Sequence, residues 1–76
     1  MENLLLDLAK GLVQKPEEVK VKVCVNNQGV KIYHLCVAKE DMGRVIGKQG
    51  RISNAIRTIM KSMAARQRTK IVVEID

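Results

Sequence analysis

Residues 43–51 read Gly43-Arg44-Val45-Ile46-Gly47-Lys48-Gln49-Gly50-Arg51, two glycines bracketing two polar residues where a short apolar segment gives way to a long one. Lacking Cβ, Gly47 and Gly50 reach conformations closed to other residues and let another backbone approach the bend. Upstream, Met42 to Ile46 reads as a short helix ending at Gly47. It is preceded by Glu40-Asp41, acidic residues where the positive end of a helix dipole lies. Downstream, Ile52, Ala55, Ile56, Ile59, Met60 and Met63 recur at helical spacing, the clearest period in the chain. The opposite face of that helix carries Asn54, Arg57, Lys61 and Ser62. The bend therefore joins two helices, and the second opens after Gly50.

Working outward, Leu4, Leu5, Leu8, Ala9, Leu12 and Val13 gather on one stripe of a helix over residues 3–14, which Pro16 stops. From Val19 to Val25 the pattern turns to strict alternation, with Val19, Val21, Val23 and Val25 on one face and Lys20, Lys22 and Cys24 on the other. That is a half-exposed strand. Asn26-Asn27-Gln28-Gly29 reverses the chain into an antiparallel partner running from Val30 to about Ala38. A two- or four-residue loop sets the valine row beside Ile32, His34 and Cys36. A three-residue loop with a bulge sets it beside Tyr33, Leu35 and Val37, and is preferred because it buries the larger side chains and leaves His34 wet. Lys70 to Ile75 alternates again, with Ile71, Val73 and Ile75 inward.

The order is α-β-β-α-α-β. A crossover through two helices returns the last strand parallel to the second and right-handed. The expected fold is α+β: a mixed three-stranded sheet with three helices packed on one face, a single domain over residues 1–76.

Seventy-six residues exclude a large enzyme with a separate substrate domain. Aromatic residues make up only 1% of the chain, Tyr33 alone, which argues against sheets and barrels that stack successive bases on rings. A net charge of +6 favours a polyanion or an anionic surface as partner. No membrane span or signal-peptide core is expected, since Leu4 to Leu6 is the longest apolar run near the N-terminus, and the location expected is cytoplasmic. Cys24 and Cys36 read as unpaired packing residues too far apart for a disulfide. With His34 they cannot complete a zinc site, so no metal and no cofactor are expected. His34 has no carboxylate partner identifiable in sequence, and no catalytic residue emerges.

The chemistry concentrates at the bend. The first amides of the long helix point outward unpaired and carry the positive end of its dipole, a place for a phosphate. Lys48 inside the loop and Arg44 and Arg51 beside it add cations, while Val45, Ile46 and Ile52 floor a groove for bases. Arg57 on the wet face of the long helix is a further candidate contact. Walker-type phosphate binding is excluded, because Gly43 to Gly47 has the wrong spacing and Gln49 stands where Ser or Thr is required.

Ile46-Gly47-Lys48-Gln49-Gly50 resembles the IGxxG signature of KH domains, and the element order matches the type II arrangement. With Val37-Ala38-Lys39-Glu40-Asp41 leading in and VIGKQGR from Val45 to Arg51, essentially the whole chain is similar to small stand-alone bacterial KH proteins, the KhpA family. That resemblance implies a clamp over about four unpaired nucleotides between the loop and a strand edge. It also implies homodimers, and heterodimers with a larger KH-containing RNA-binding protein. Lys39 departs from the family, where proline is frequent, and is expected to alter how the chain enters the helix rather than the loop. The function so implied is binding of short single-stranded RNA by Gly47, Lys48, Gln49 and Gly50 with the flanking residues, as a post-transcriptional regulator or RNA chaperone-like factor. The alternative is a dimerisation adaptor for which RNA contact is incidental.

Overall fold

Helix α1 spans Glu2–Lys10 and buries Leu5 and Ala9. It ends sooner than the leucine stripe implies. The Gly11 amide donates to Asp7 and the Leu12 amide to Ala9, a tightening that closes the helix, and Leu12 is left at the surface. The residues beyond are claimed by a tertiary contact: the amides of Gln14 and Lys15 each donate at 3.1 Å to the Asp41 carboxylate. Pro16–Glu18 then forms one 3-10 turn before the first strand. This computed structural model describes residues 2–75; Met1 and Asp76, the ends of the expected domain, lie outside the described residues.

Strands β1 (Lys20–Val25), β2 (Lys31–Cys36) and β3 (Ile71–Ile75) form one sheet in that order. The β1–β2 pair is antiparallel, with Val21 opposite Leu35 and Val23 opposite Tyr33, the register expected of a bulged turn. The turn supplies the reason. The Asn26 amide donates to Val30, the Asn26 side-chain oxygen accepts from Gln28 and Val30, and Gly29 takes φ +77°. A left-handed residue at the last loop position inserts the extra residue that shifts the pairing. Strand β3 runs parallel to β2, with Val73 opposite Tyr33 and Ile75 opposite Leu35.

The core lies between the sheet and helices α2 (Met42–Ile46) and α3 (Arg51–Arg66) together with α1. Tyr33, Leu35, Ile71 and Val73 meet Leu5, Val45, Ile56 and Met60 there. Burial falls off along the valine row, from 7% exposure at Val19 just before β1 to 61% at Val25 at its end, because the hairpin tip runs past the helical layer. Helix α3 is turned relative to the expected stripe. It buries Ser53, Ile56, Met60 and Ala64, whereas Ala55 and Ile59 are exposed, since three strands are too narrow to cover both flanks of one helix.

On the outer sheet face His34 does meet a carboxylate. Its Nδ1 lies 3.4 Å from Oε2 of Glu74, its neighbour across the parallel pairing. Cys24 faces Ile32, Cys36 faces Lys20, and both thiols are free.

Candidate nucleic-acid interface

The bend between α2 and α3 is built by three residues of positive φ. Gly47 ends α2, its amide donating to Gly43, and adopts φ 75°, ψ 173°, backbone open to glycine alone. Gln49 (φ 58°) and Gly50 (φ 74°, ψ 14°) are both left-handed, and the latter opens α3. The two glycines serve different ends. A Cβ on Gly47 would stand 2.6–2.9 Å from the side chain of Ile52, whereas one on Gly50 would meet only ordinary contacts with Ser53 and Asn54. Gly50→Ala is therefore expected to lower stability by about 1 kcal/mol, the left-handed penalty alone. Gly47→Ala is expected to lower it by about twice that and to displace Ile52, seen as a larger fall in Tm together with shifted Ile52 methyl resonances.

The loop amides divide into two sets. The Gly50 amide donates to Gly47 at 3.2 Å and the Arg51 amide to Lys48, so the start of α3 is capped from within rather than left open as the helix-terminus argument requires. The amides of Lys48 and Gln49, at the tip, precede the first bond of that turn, and both residues are exposed. The amides that lead into the turn thus belong to the bend itself, ahead of α3.

Around the tip, Arg44 and Arg51 are both exposed, Ile46 keeps 38% of its surface and Ile52 is half-buried beneath Gly47. Val45 does not belong with them. It is 0% exposed and packs in the core, because on so short a helix the side chain facing the sheet cannot also face a groove. Arg57 leaves the wet face on which it was expected. Its Nε donates at 3.2 Å to the carbonyl of Val73 in β3 and its Nη1 reaches Asn54 Oδ1 at 3.4 Å, so the guanidinium spans from α3 to the free edge of the sheet.

One residue that positions the site is not evident as such in the sequence. Asp41, 1% exposed, makes no side-chain cap for α2. Its carboxylate instead accepts the Gln14 and Lys15 amides and lies 3.4 Å from Nε of Arg44. The segment after α1, the start of α2 and one loop-flanking arginine are thereby fastened together. Beside it the Lys15 ammonium pairs with Glu40, holding that carboxyl below its ordinary pKa while the lysine is raised. Both groups are solvated, so the pair adds little to stability. Its contribution is present above the unfolded pKa of Glu40 and fades as acid protonates that group; at the alkaline end it is lost as pH rises through the raised pKa of Lys15. Among the described residues, no group of three or more His, Cys, Asp or Glu side chains is placed to hold a metal, and no helix is long and apolar enough to cross a membrane.

A parallel β2–β3 pair, an antiparallel β1 on the far edge and a Gly-x-x-Gly bend between α2 and α3 define a KH domain of the type II arrangement. Solved structures of Era agree on the fold. Era from Aquifex aeolicus with GDP.AlF4- superposes with a TM-score of 0.64 at 16% identity, over 97% of this chain and 28% of that one. Era in complex with MgGDPNP and a piece of 16S ribosomal RNA gives 0.67 at 15% identity, again over 97% and 28%. The chain belongs to the family described as KhpA/KhpB, KH domain, which it matches over residues 2–75. It is 51% identical to the RNA-binding protein KhpA of Clostridium acetobutylicum over 75 residues, 99% of each chain. It is 47% identical to the RNA-binding protein KhpA of Chlamydia trachomatis over 99% of this chain and 95% of that one.

Proposed function

We propose that this chain is a non-enzymatic, cytoplasmic RNA-binding module that grips short single-stranded segments at the Gly47–Gly50 bend and acts as a post-transcriptional regulator or RNA chaperone-like factor. The observation that carries this reading is the exposed Lys48-Gln49 tip between two glycines of positive φ, with Arg44 and Arg51 beside it, in a chain whose relatives are named RNA-binding proteins. Phosphates rest against the tip amides and Lys48, with Arg44 and Arg51 as flanking cations. Ile46 and Ile52 supply the apolar surface for a base, and Arg57 stands where the strand would pass along β3. Val45 takes no part.

Three cations at phosphates imply counterion release. Affinity for single-stranded RNA, followed by fluorescence anisotropy, is expected to fall with salt at a log–log slope of about −2, from about −0.7 for each phosphate neutralised. A duplex of the same sequence is expected to bind more weakly, since its bases are not available to Ile46 and Ile52. A slope near zero, or equal affinity for the duplex, would argue against the reading.

One observation favours a second role as an adaptor. Ile59 is 42% exposed and Ala55 beside it on α3 is uncovered, an aliphatic flank for a homodimer or for a larger KH-containing partner. Sedimentation of Ile59→Glu tests this: a wild-type dimer that becomes a monomer supports the flank as the interface. If Lys48→Asp with Gln49→Asp also lost the dimer yet kept RNA, the adaptor reading would displace the first.

A further inference from the structure

The seam between α3 and β3 continues past Arg57. Where α3 ends and the chain turns into β3, a cleft of about 370 Å³ opens between that turn and the β1–β2 hairpin. Val30, Ala65, Ile71 and Val72 form its apolar walls, Lys61 and Lys70 stand among the lining residues, and no acidic residue is present. Lys61 lies one helical turn beyond Arg57 on the same flank of α3, the flank whose Arg57 reaches the sheet edge. At 1.5 Å per residue, Lys61 is about 16 Å along the helix from Gly50. The volume is near the lower end of the roughly 300–1,000 Å³ of small-molecule sites. That suits one base with its sugar and is too small for a helix or a folded partner.

The geometry points to a second nucleotide subsite in this cleft, occupied by the continuation of the strand held at the Gly47–Gly50 bend. The base lies against Val30, Ala65 and Ile71, and its phosphate is held by Lys61 and Lys70. Charge selects the occupant, since two ammonium groups with no carboxylate among the lining favour an anion. Continuity selects it further, because Arg57 bridges the two places along one seam. The inference rests on the reading of the bend as an RNA site and extends it, so that strands longer than the clamped few nucleotides bind more tightly.

Isotope-labelled full-length protein is titrated with random-sequence single-stranded RNA pools of four and nine nucleotides. The shorter pool is expected to shift the amides of Gly47 to Arg51 only. The longer is expected to shift those of Val30 and Thr69 to Val72 as well, and to bind more tightly. Lys61→Gln with Lys70→Gln, both exposed positions, is expected to reduce the gain of the longer pool over the shorter about tenfold, equivalent to about 1.4 kcal/mol. Affinity for the shorter pool is expected to stay unchanged, since the cleft is beyond the ~8 Å screening length at physiological salt. Ala65→Glu, at an exposed helical position, is expected to do the same by placing a carboxylate on the cleft wall. The subsite is overturned if the longer pool leaves Val30 and Thr69 to Val72 unmoved, or if both variants keep the full gain. Shifts in the cleft with none at the bend would support the cleft and refute the bend; no shifts with either pool would refute both.

Discussion

Lys48→Asp combined with Gln49→Asp is expected to abolish crosslinking to single-stranded RNA, with a loss of affinity of at least about 100-fold, and to leave the fold untouched. The loop charge goes from +1 to −2, setting two carboxylates where a phosphate would rest. Each such contact at about 4 Å is unfavourable by about 1 kcal/mol even in bulk water, and more beside an apolar surface. The lost lysine–phosphate attraction adds to this. The fold should be indifferent because both residues are exposed and neither side chain has a hydrogen bond or ion pair among the described residues. Aspartate also suits the left-handed φ of 58° at position 49 better than most residues. Circular dichroism and Tm report the fold, and ultraviolet crosslinking or anisotropy reports the RNA. Undiminished crosslinking would overturn the assignment of the bend.

The second large effect is on stability. Asp41→Ala is expected to remove about 3 kcal/mol, because it deletes an acceptor that is 1% exposed and serves two backbone amides and a guanidinium. In a domain of this size 1 kcal/mol corresponds to roughly 4–8 °C, so Tm should fall by about 12–24 °C. Asp41→Asn keeps one oxygen acceptor and should fall between the variant and the native chain. Scanning calorimetry checks both. A fall of only a few degrees for the alanine variant would mean that the segment after α1 is held by its apolar contacts and not by the carboxylate. RNA affinity measured well below the lowered Tm should fall far less than in the double aspartate variant, since of the site only Arg44 is loosened, which separates a loss of fold from damage to the loop.

Much of this architecture is written in local pattern. Element order, the two glycines of the bend and the short α2 at Met42–Ile46 follow from periodicity and turn chemistry within a few residues, and the hairpin register is the one preferred for burying the larger side chains of β2, between alternatives that the loop alone left open. The candidate site was legible to the same depth: Gly47, Lys48, Gln49 and Gly50 could be picked out because a bend between two helices needs glycine and polar residues in that order. The departures share another cause. Val45 and Ile46 are adjacent apolar residues, yet one is sealed in the core and the other is 38% exposed. Ile56 and Ile59 both belong to the helical stripe, yet only the former is covered.

By itself the sequence determined which segments are helix or strand, where they turn, and that a cationic bend sits between two helices, since each of these depends on residues at most a few positions apart. Only the tertiary structure decided that Asp41 binds backbone 26 and 27 residues away, that Arg57 crosses to a strand 16 residues later, and that a basic cleft lies beyond it. A local period reports that a face is apolar, but not how wide the opposing layer is or which distant polar group will meet it. Those follow from how a three-stranded sheet and three helices settle against one another.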